Sequence, residues 1–261
     1  MLEATGIRVT LGWREILRGI DLFARPGEVT AIVGPNGSGK TTLLRALTGE
    51  VDHDGQIRLN GQDVDRLRPW QLAAMRAVLP QATALAFPFT VLEVVRLGLA
   101  AGLGAARADL PGKALRRVGL PGFEGRLYQQ LSGGEKQRVH LARVLVQIWE
   151  PVAHGAPRWM FLDEPVSSLD IGHQLQVMQV ARDFARAGGG VIAVMHDLNL
   201  TAMFASSVAL MEQGLITGFG SPDDVLTDAA LSRAYDCRLR TNHAPVTGRW
   251  ILPQGAEAGL S

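Results

Sequence analysis

The sequence predicts an α/β fold: a phosphate-loop core with a mainly parallel sheet, joined by an antiparallel β subdomain and an inserted α-helical subdomain. Three observations point there. Gly34 to Thr42 reads Gly-Pro-Asn-Gly-Ser-Gly-Lys-Thr-Thr and follows the strand-like run Val29 to Val33, matching the pattern G-x-x-x-x-G-K-[ST]. Apolar strand-like runs alternate with helical patterns in the second half of the chain, which favours parallel pairing. Between about Ala82 and Glu150 strand signals give way to helical spacing.

The elements follow in order. Ile7-Arg8-Val9-Thr10-Leu11 alternates apolar and polar residues, and with Ile20 to Phe23 before Pro26-Gly27 it predicts an initial antiparallel set. A strand, the Gly-rich loop and a helix from about Lys40, carrying Leu43-Leu44 and Leu47, come next. Gly55 to Gly61 reads as a short strand closed by the Asn60-Gly61 turn, before a helix near Pro69 to Arg76 and a strand at Ala77 to Pro80. Helical spacing at Val91-Leu92, Val94-Val95, Leu97 and Leu99, and again from Val139 to Ile148, marks the insert. Strands return at Trp159 to Leu162 and Val191 to Val194, separated by a helix through Gln174 to Ala187 that ends near Gly188-Gly189-Gly190. The tail offers Val208 to Met211, a Gln213-Gly214 turn, Leu215-Ile216, a helix near Pro222 to Tyr235 and a hairpin ending in Arg249 to Leu252. One domain spanning 1–261 is expected, with 1–81 and 151–225 as the core, 82–150 as the helical insert and 226–261 as a C-terminal extension.

Composition narrows the class. With 26 basic and 25 acidic residues the formal charge is +1, so no polyanion-coating surface and no nucleic-acid partner is expected. The single cysteine, Cys237, forms no internal disulfide, and Met1 to Leu17 lacks the apolar stretch of a secretory signal, which fits a cytosolic chain. The most apolar stretch, Ala84 to Ala106, is interrupted by Pro88, Glu93 and Arg96 and is not expected to span a bilayer. It reads as a buried helix and turn, as an apolar docking surface, or as both on different faces.

The Gly-rich loop predicts binding of a nucleoside triphosphate. Its backbone N–H groups would close around phosphate oxygens, with the positive end of the following helix aimed at them. Lys40 would add a charge for the β- and γ-phosphates, and Thr41 an oxygen ligand for Mg²⁺. Leu162-Asp163-Glu164-Pro165 closes an apolar strand, so Asp163 would emerge at the carboxyl edge of the sheet, suited to holding Mg²⁺. Adjacent acids after a strand are ordinarily a solvated turn; beside a phosphate loop, Glu164 reads as a group that orients or deprotonates the attacking water. Ser132 and Glu135 have the spacing of a helix capping box. Gly133 and Gly134 are poor helix formers, by about 1 kcal/mol each relative to alanine, and exposed N–H groups for a second anion contact would account for them.

With these residues assembled, the sequence resembles the ATP-binding cassette ATPases over nearly the whole chain. The resemblance rests on Gly34 to Thr41, Gln81 between core and insert, Leu131 to Glu135, Met160 to Glu164, Ser168-Leu169-Asp170 and Met195-His196-Asp197, in the family's order. It implies a head-to-tail dimer with ATP between one copy's Gly34 to Thr42 loop and the other's Ser132, Gly133, Gly134 and Glu135. In that scheme Gly34, Pro35, Asn36, Gly37, Ser38, Gly39, Lys40, Thr41 and Thr42 cradle the phosphates; Thr41 and Gln81 meet Mg²⁺; Asp163 supports the ion through water. Glu164 is the general base, His196 senses the γ-phosphate, Lys40 binds phosphate and Asp170 contacts the opposite copy. Each also has a plainer use: Gln81 as a surface polar residue, Asp170 as a helix N-cap, His196 as a strand-end histidine. The family stacks an aromatic residue on adenine ahead of the loop, a contact worth about 1–3 kcal/mol per base; Trp13 is the candidate, with a core role as its alternative. The chain departs from the family's usual Thr and Ala at Val166 and Ser168, beside the acids and not on them.

A cassette without membrane helices implies borrowed ones. The resemblance places two transmembrane permease subunits against the stretch Gln81 to Val95, with the helical insert transmitting closure of the dimer. Ala86 to Val91, Arg143 to Trp149, Pro157 to Pro165, Tyr235 and Pro245 to Gly248 look similar to bacterial haem-import ATPases of the iron-chelate and cobalamin group. That implies ATP hydrolysis at the cytoplasmic face of the inner membrane, coupled to haem transport, with a periplasmic haem-binding protein acting indirectly. Ferric siderophore or cobalamin is the alternative cargo. A soluble cassette protein of DNA repair or translation is the alternative of another class, although those carry two cassettes, a coiled-coil insert or a zinc module.

Overall fold

The computed structural model describes residues 1–81, 87–101, 107–244 and 246–255. The chain opens with an antiparallel pair, β1 (Leu2–Leu11) and β2 (Arg14–Ala24), turning at Gly12-Trp13. Then come β3 (Val29–Val33), α1 (Lys40–Leu47), β4 (Asp54–Leu59) and β5 (Gln62–Asp63). Asn60 and Gly61, both left-handed at φ 52° and 78°, make the two-residue turn that joins β4 to β5. The front sheet has the order β2-β1-β4-β5.

Next are α2 (Pro69–Met75), β6 (Arg76–Leu79), α3 (Val91–Ala101), α4 (Leu110–Arg117) and α5 (Gly133–Gln147). A small hairpin, β7 (Val152–Ala153) and β8 (Ala156–Pro157), precedes β9 (Trp159–Asp163), α6 (Ile171–Arg186), β10 (Gly190–Val194) and α7 (Leu198–Phe204). The rest is β11 (Ser207–Glu212), β12 (Leu215–Gly220), α8 (Pro222–Val225) and α9 (Asp228–Ala234). The central sheet runs β12-β11-β3-β10-β9-β6, parallel throughout except for β12.

Every residue of β3, β9 and β10 is buried, because the sheet is covered on both faces. Val29, Ala31, Met160, Leu162, Val191 and Ala193 join the core shared with the α3–α7 helices. Their neighbours Ile32, Trp159, Phe161, Ile192 and Val194 join the core shared with α1 and the front sheet. Alternate side chains thus enter opposite cores, and the strands read as continuous apolar runs. Trp159 fits because its partner across the ladder is Gly190, where a Cβ would lie 2.4 Å from the indole. The indole Nε1 donates to Asn60 Oδ1 at 3.0 Å while Asn60 Nδ2 donates to Pro157 O at 2.8 Å, tying the front sheet to the central one.

Some expectations shift. The sixth helix starts at Ile171 rather than Gln174, because Asp170 caps it by accepting from His173 N at 3.0 Å. The helix expected over Pro222 to Tyr235 is two, broken at Leu226-Thr227, where Thr227 caps α9. No hairpin forms at Arg249 to Leu252; these residues have no regular structure and lead into a 3-10 turn at Pro253–Gly255. The β7–β8 hairpin was not expected, although His154-Gly155 turns it with φ 51° and 75°. Thr90 and Glu93 bond reciprocally at the start of α3, a capping pair written in the sequence as T-x-x-E. Part of the apolar stretch Ala84 to Ala106, and Pro245, lie outside the described residues; among the described ones no helix is long and apolar enough to cross a membrane.

Inside the helical insert, Tyr128 Oη and His140 Nε2 meet at 2.8 Å, both buried. Burial, aided by Arg143, lowers the His140 pKa from an ordinary 6.5 to about 4. The neutral ring is the folded form, so its full contribution is present above pH 6.5 and is lost as pH falls towards 4. Urea unfolding at pH 5 should therefore show about 2 kcal/mol less stability from this group than at pH 7, and His140→Gln should flatten that part of the profile.

Candidate nucleotide site

After β3 the chain turns through Gly34, Gly37 and Gly39, at φ 147°, 77° and 102°, and enters α1 at Lys40. Gly34 is required for space as well: a Cβ there would lie 2.1 Å from Met211 O. The loop is buttressed from behind. Gly214 N donates to Ser38 O at 3.0 Å and Arg18 N donates to Gly214 O at 3.0 Å, so the β11–β12 turn is wedged between the loop and β2. Ser38 Oγ is buried and has no partner among the described residues. Lys40 arches back over the loop, its Nζ donating to Gly34 O at 2.8 Å and Pro35 O at 3.0 Å. Burial lowers the Lys40 pKa, and the nearby charges of Glu164 and Asp163 oppose that shift.

Asp163 ends β9 almost fully buried and accepts a bond from Thr41 Oγ1 at 3.2 Å. Burial raises its pKa; the Thr41 bond works against this. Glu164 adopts φ 51°, a left-handed backbone that costs a non-glycine residue about 1–2 kcal/mol. Glu164 N donates to Val194 O at 3.2 Å, and its carbonyl accepts from Gln137 Nε2 at 2.9 Å and Ser167 Oγ at 3.2 Å. The carboxylate accepts from Gln81 Nε2 at 2.8 Å on one oxygen and meets His196 Nε2 at 2.6 Å on the other. Its side chain is only 15% exposed. The local sequence offers nothing apolar to cover it; Gln81 and His196 do so from the ends of β6 and β10.

Lys40, Thr41, Gln81, Asp163, Glu164 and His196 thus gather at one sheet edge. Ser132, Gly133, Asp170 and Trp13 make no hydrogen bond to that cluster among the described residues. Ser132 and Glu135 form the expected capping box, with Ser132 N donating to Glu135 Oε2 at 2.7 Å and Glu135 N donating to Ser132 Oγ at 3.3 Å. The two glycines differ. Gly133 faces open space, whereas a Cβ on Gly134 would press Leu169 Cδ2 at 3.0 Å and Ser168 O at 3.1 Å, so close packing accounts for Gly134. Trp13 is 95% exposed, which rules out the core role. It precedes Arg14, which with Glu15, Ile16, Pro35 to Ser38 and Gln213-Gly214 lines a groove of about 350 Å³. Gln137 and Gly214 escaped the sequence reading: one looks like any polar residue of an amphipathic helix, the other like a plain turn.

Among the described residues no group of three or more His, Cys, Asp or Glu is arranged so that it could hold a metal ion by itself. The Thr41–Asp163 pair instead suits a hard, oxygen-seeking cation that completes its shell from phosphate and water, as Mg²⁺ does.

The family model described as ABC transporter matches residues 17–167. The chain belongs to the ABC transporter family. Its curated relatives include the hemin import ATP-binding protein HmuV of Jannaschia sp. (strain CCS1), 65% identical over 97% of this chain and 94% of that one. The protein of the same name from Roseobacter denitrificans is 59% identical over 98% of both. Among solved structures, an ATP-binding subunit of an ABC transporter superposes with TM-score 0.76 at 22% identity, covering 91% of this chain and 94% of that one. A bacterial ABC transporter cassette solved as a dimer gives TM-score 0.74 at 24% identity over 85% and 99%. At such identities these two establish the cassette fold, and they do so for this ABC chain almost end to end.

Gly34 and Gly37 separate space from backbone strain. Gly34→Ala should abolish stable folding or nucleotide binding, whereas Gly37→Ala, with nothing within 4 Å, should cost only about 1–2 kcal/mol. Urea unfolding and titration with a fluorescent ATP analogue distinguish the two.

Proposed function

We propose that the chain is the ATP-hydrolysing subunit of a bacterial haem importer, attached peripherally at the cytoplasmic face of the inner membrane. The observation that carries the chemistry is the convergence of Gln81 and His196 on the Glu164 carboxylate beside the Thr41–Asp163 pair. Thr41, Asp163 and Gln81 would hold Mg²⁺, which when bound draws negative charge off the triphosphate. The loop N–H groups and Lys40 bind the β- and γ-phosphates. Glu164 accepts the proton of the attacking water as its oxygen bonds to the γ-phosphorus and the bond to the ADP oxygen breaks. His196 and Gln81 fix the carboxylate's direction, and His196 would also sense the γ-phosphate. Trp13, exposed and next in sequence to Arg14 of the groove that Pro35 to Ser38 line, would stack on adenine.

The Ser132 to Glu135 helix start and Asp170 make no hydrogen bond to this cluster among the described residues, and by the family resemblance their roles fall to the nucleotide of a second copy, head to tail. A cassette of the same fold solved as a dimer is in keeping with pairing of two copies. Permease contact is assigned to Gln81 to Val95, of which 82–86 lie outside the described residues, and to the groove of about 400 Å³ beside it. Leu72, Ala73, Val78, Leu97 and Arg143 line that groove, between the core (1–81 and 151–225) and the helical insert (82–150). The cargo rests on the relatives named for hemin import at 65% and 59% identity over nearly the whole chain. A periplasmic haem-binding protein would deliver it.

In proteoliposomes carrying the assembled transporter and its binding protein, ATP-driven uptake of haem should exceed that of cobalamin and of a ferric siderophore; equal uptake of all three would refute the cargo. In the same complex Glu164→Gln should lower kcat for ATP hydrolysis by about 100-fold or more while leaving ATP binding intact. Undiminished turnover would remove Glu164 from the role of base.

A further inference from the structure

We propose that Gln137, which neither the phosphate loop nor the acids contain, is a positioning residue for Glu164 and links that base to the start of α5. The proposal rests on Glu164 being the base. Glu164 holds a left-handed backbone, and two elements clamp it there: Val194 of β10 accepts from its N–H, and Gln137 of α5 donates to its carbonyl at 2.9 Å. Rotating the Glu164 peptide out of this conformation would break both bonds and swing the carboxylate away from Gln81 and His196. Ser167 also donates to the same carbonyl, but it belongs to the turn itself and moves with it.

Gln137 lies one helical turn after Gly134, on the same face of α5. That face is packed against the segment following Glu164, as the approach of Gly134 to Ser168 O and Leu169 records. Gln137 Oε1 is buried without a partner among the described residues, where only the amide N–H₂ end of this side chain is bonded. A shift of the α5 start, the part assigned above to the second copy's nucleotide, is therefore delivered through one rigid turn to the backbone of the base in its own chain. Gln137 touches neither phosphate nor water in this scheme; it acts through Glu164.

The test is a double-mutant cycle in the assembled transporter. Gln137→Met keeps length and removes the donor; it should lower kcat about tenfold with the KM for ATP and the Tm little changed, and should lower the residual rate no further in a Glu164→Gln background. Gln137→Glu, near-isosteric, should be slower still at pH 8 and regain activity relative to the native protein as pH falls and its carboxyl becomes a donor, a profile that loss of packing would not produce. Native kcat in Gln137→Met, or the same fold-loss with and without Glu164, overturns the proposal. If Gln137→Met does not fold, absence of the pH recovery in Gln137→Glu overturns it. Full activity in Glu164→Gln alone would instead unseat the base on which it stands.

Discussion

Parallel hydrogen bonding among β6, β9, β10 and β3 is the constraint from which the site follows. Strands paired this way all end at the same edge, and four of them here deliver a candidate site residue or loop within two residues of their ends. β3 leads into the phosphate loop, β6 into Gln81, β9 ends on Asp163, and β10 leads into His196. None of these side chains needs a long loop to find the others. The price of parallel pairing is burial of both sheet faces, met by two cores, one under the helices and one under the front sheet.

The front sheet is more than a cover. Asn60 bridges Trp159 and Pro157, and Arg18 of β2 holds the Gly214 turn that supports Ser38. The phosphate loop is therefore set by contacts from three directions: from β3 before it, from the β11–β12 turn behind it, and from Lys40 arching over it. Such a loop is stiff before any phosphate reaches it, which spares part of the ordering cost of binding.

The nucleotide motifs were legible because each spends residues that secondary structure alone would not choose. A glycine-rich turn at Gly34 to Gly39, two acids after an apolar strand, and two glycines after a helix cap all violate local preference. Helix starts with a side-chain cap were legible in principle: Asp170 and Thr90 announce α6 and α3 through neighbours three residues on. What stayed hidden depends on long-range approach. The fit of Gly190 against Trp159, the wedge of Gly214 and the bond from Gln137 to Glu164 join residues that share no local pattern. The tail misled for the opposite reason: Arg249 to Leu252 has strand-like composition but no partner strand among the described residues.

The left-handed backbone at Glu164 has an evolutionary corollary. Glycine would relax that position and lose the carboxylate proposed as the base; most other side chains would keep the torsional penalty and lose the carboxylate as well. Selection for a firmer fold and selection for turnover thus pull in opposite directions at one residue. With Glu164 as the proposed base, a lineage that drifts towards the relaxed choice would retain a well-folded cassette that binds nucleotide and no longer cycles.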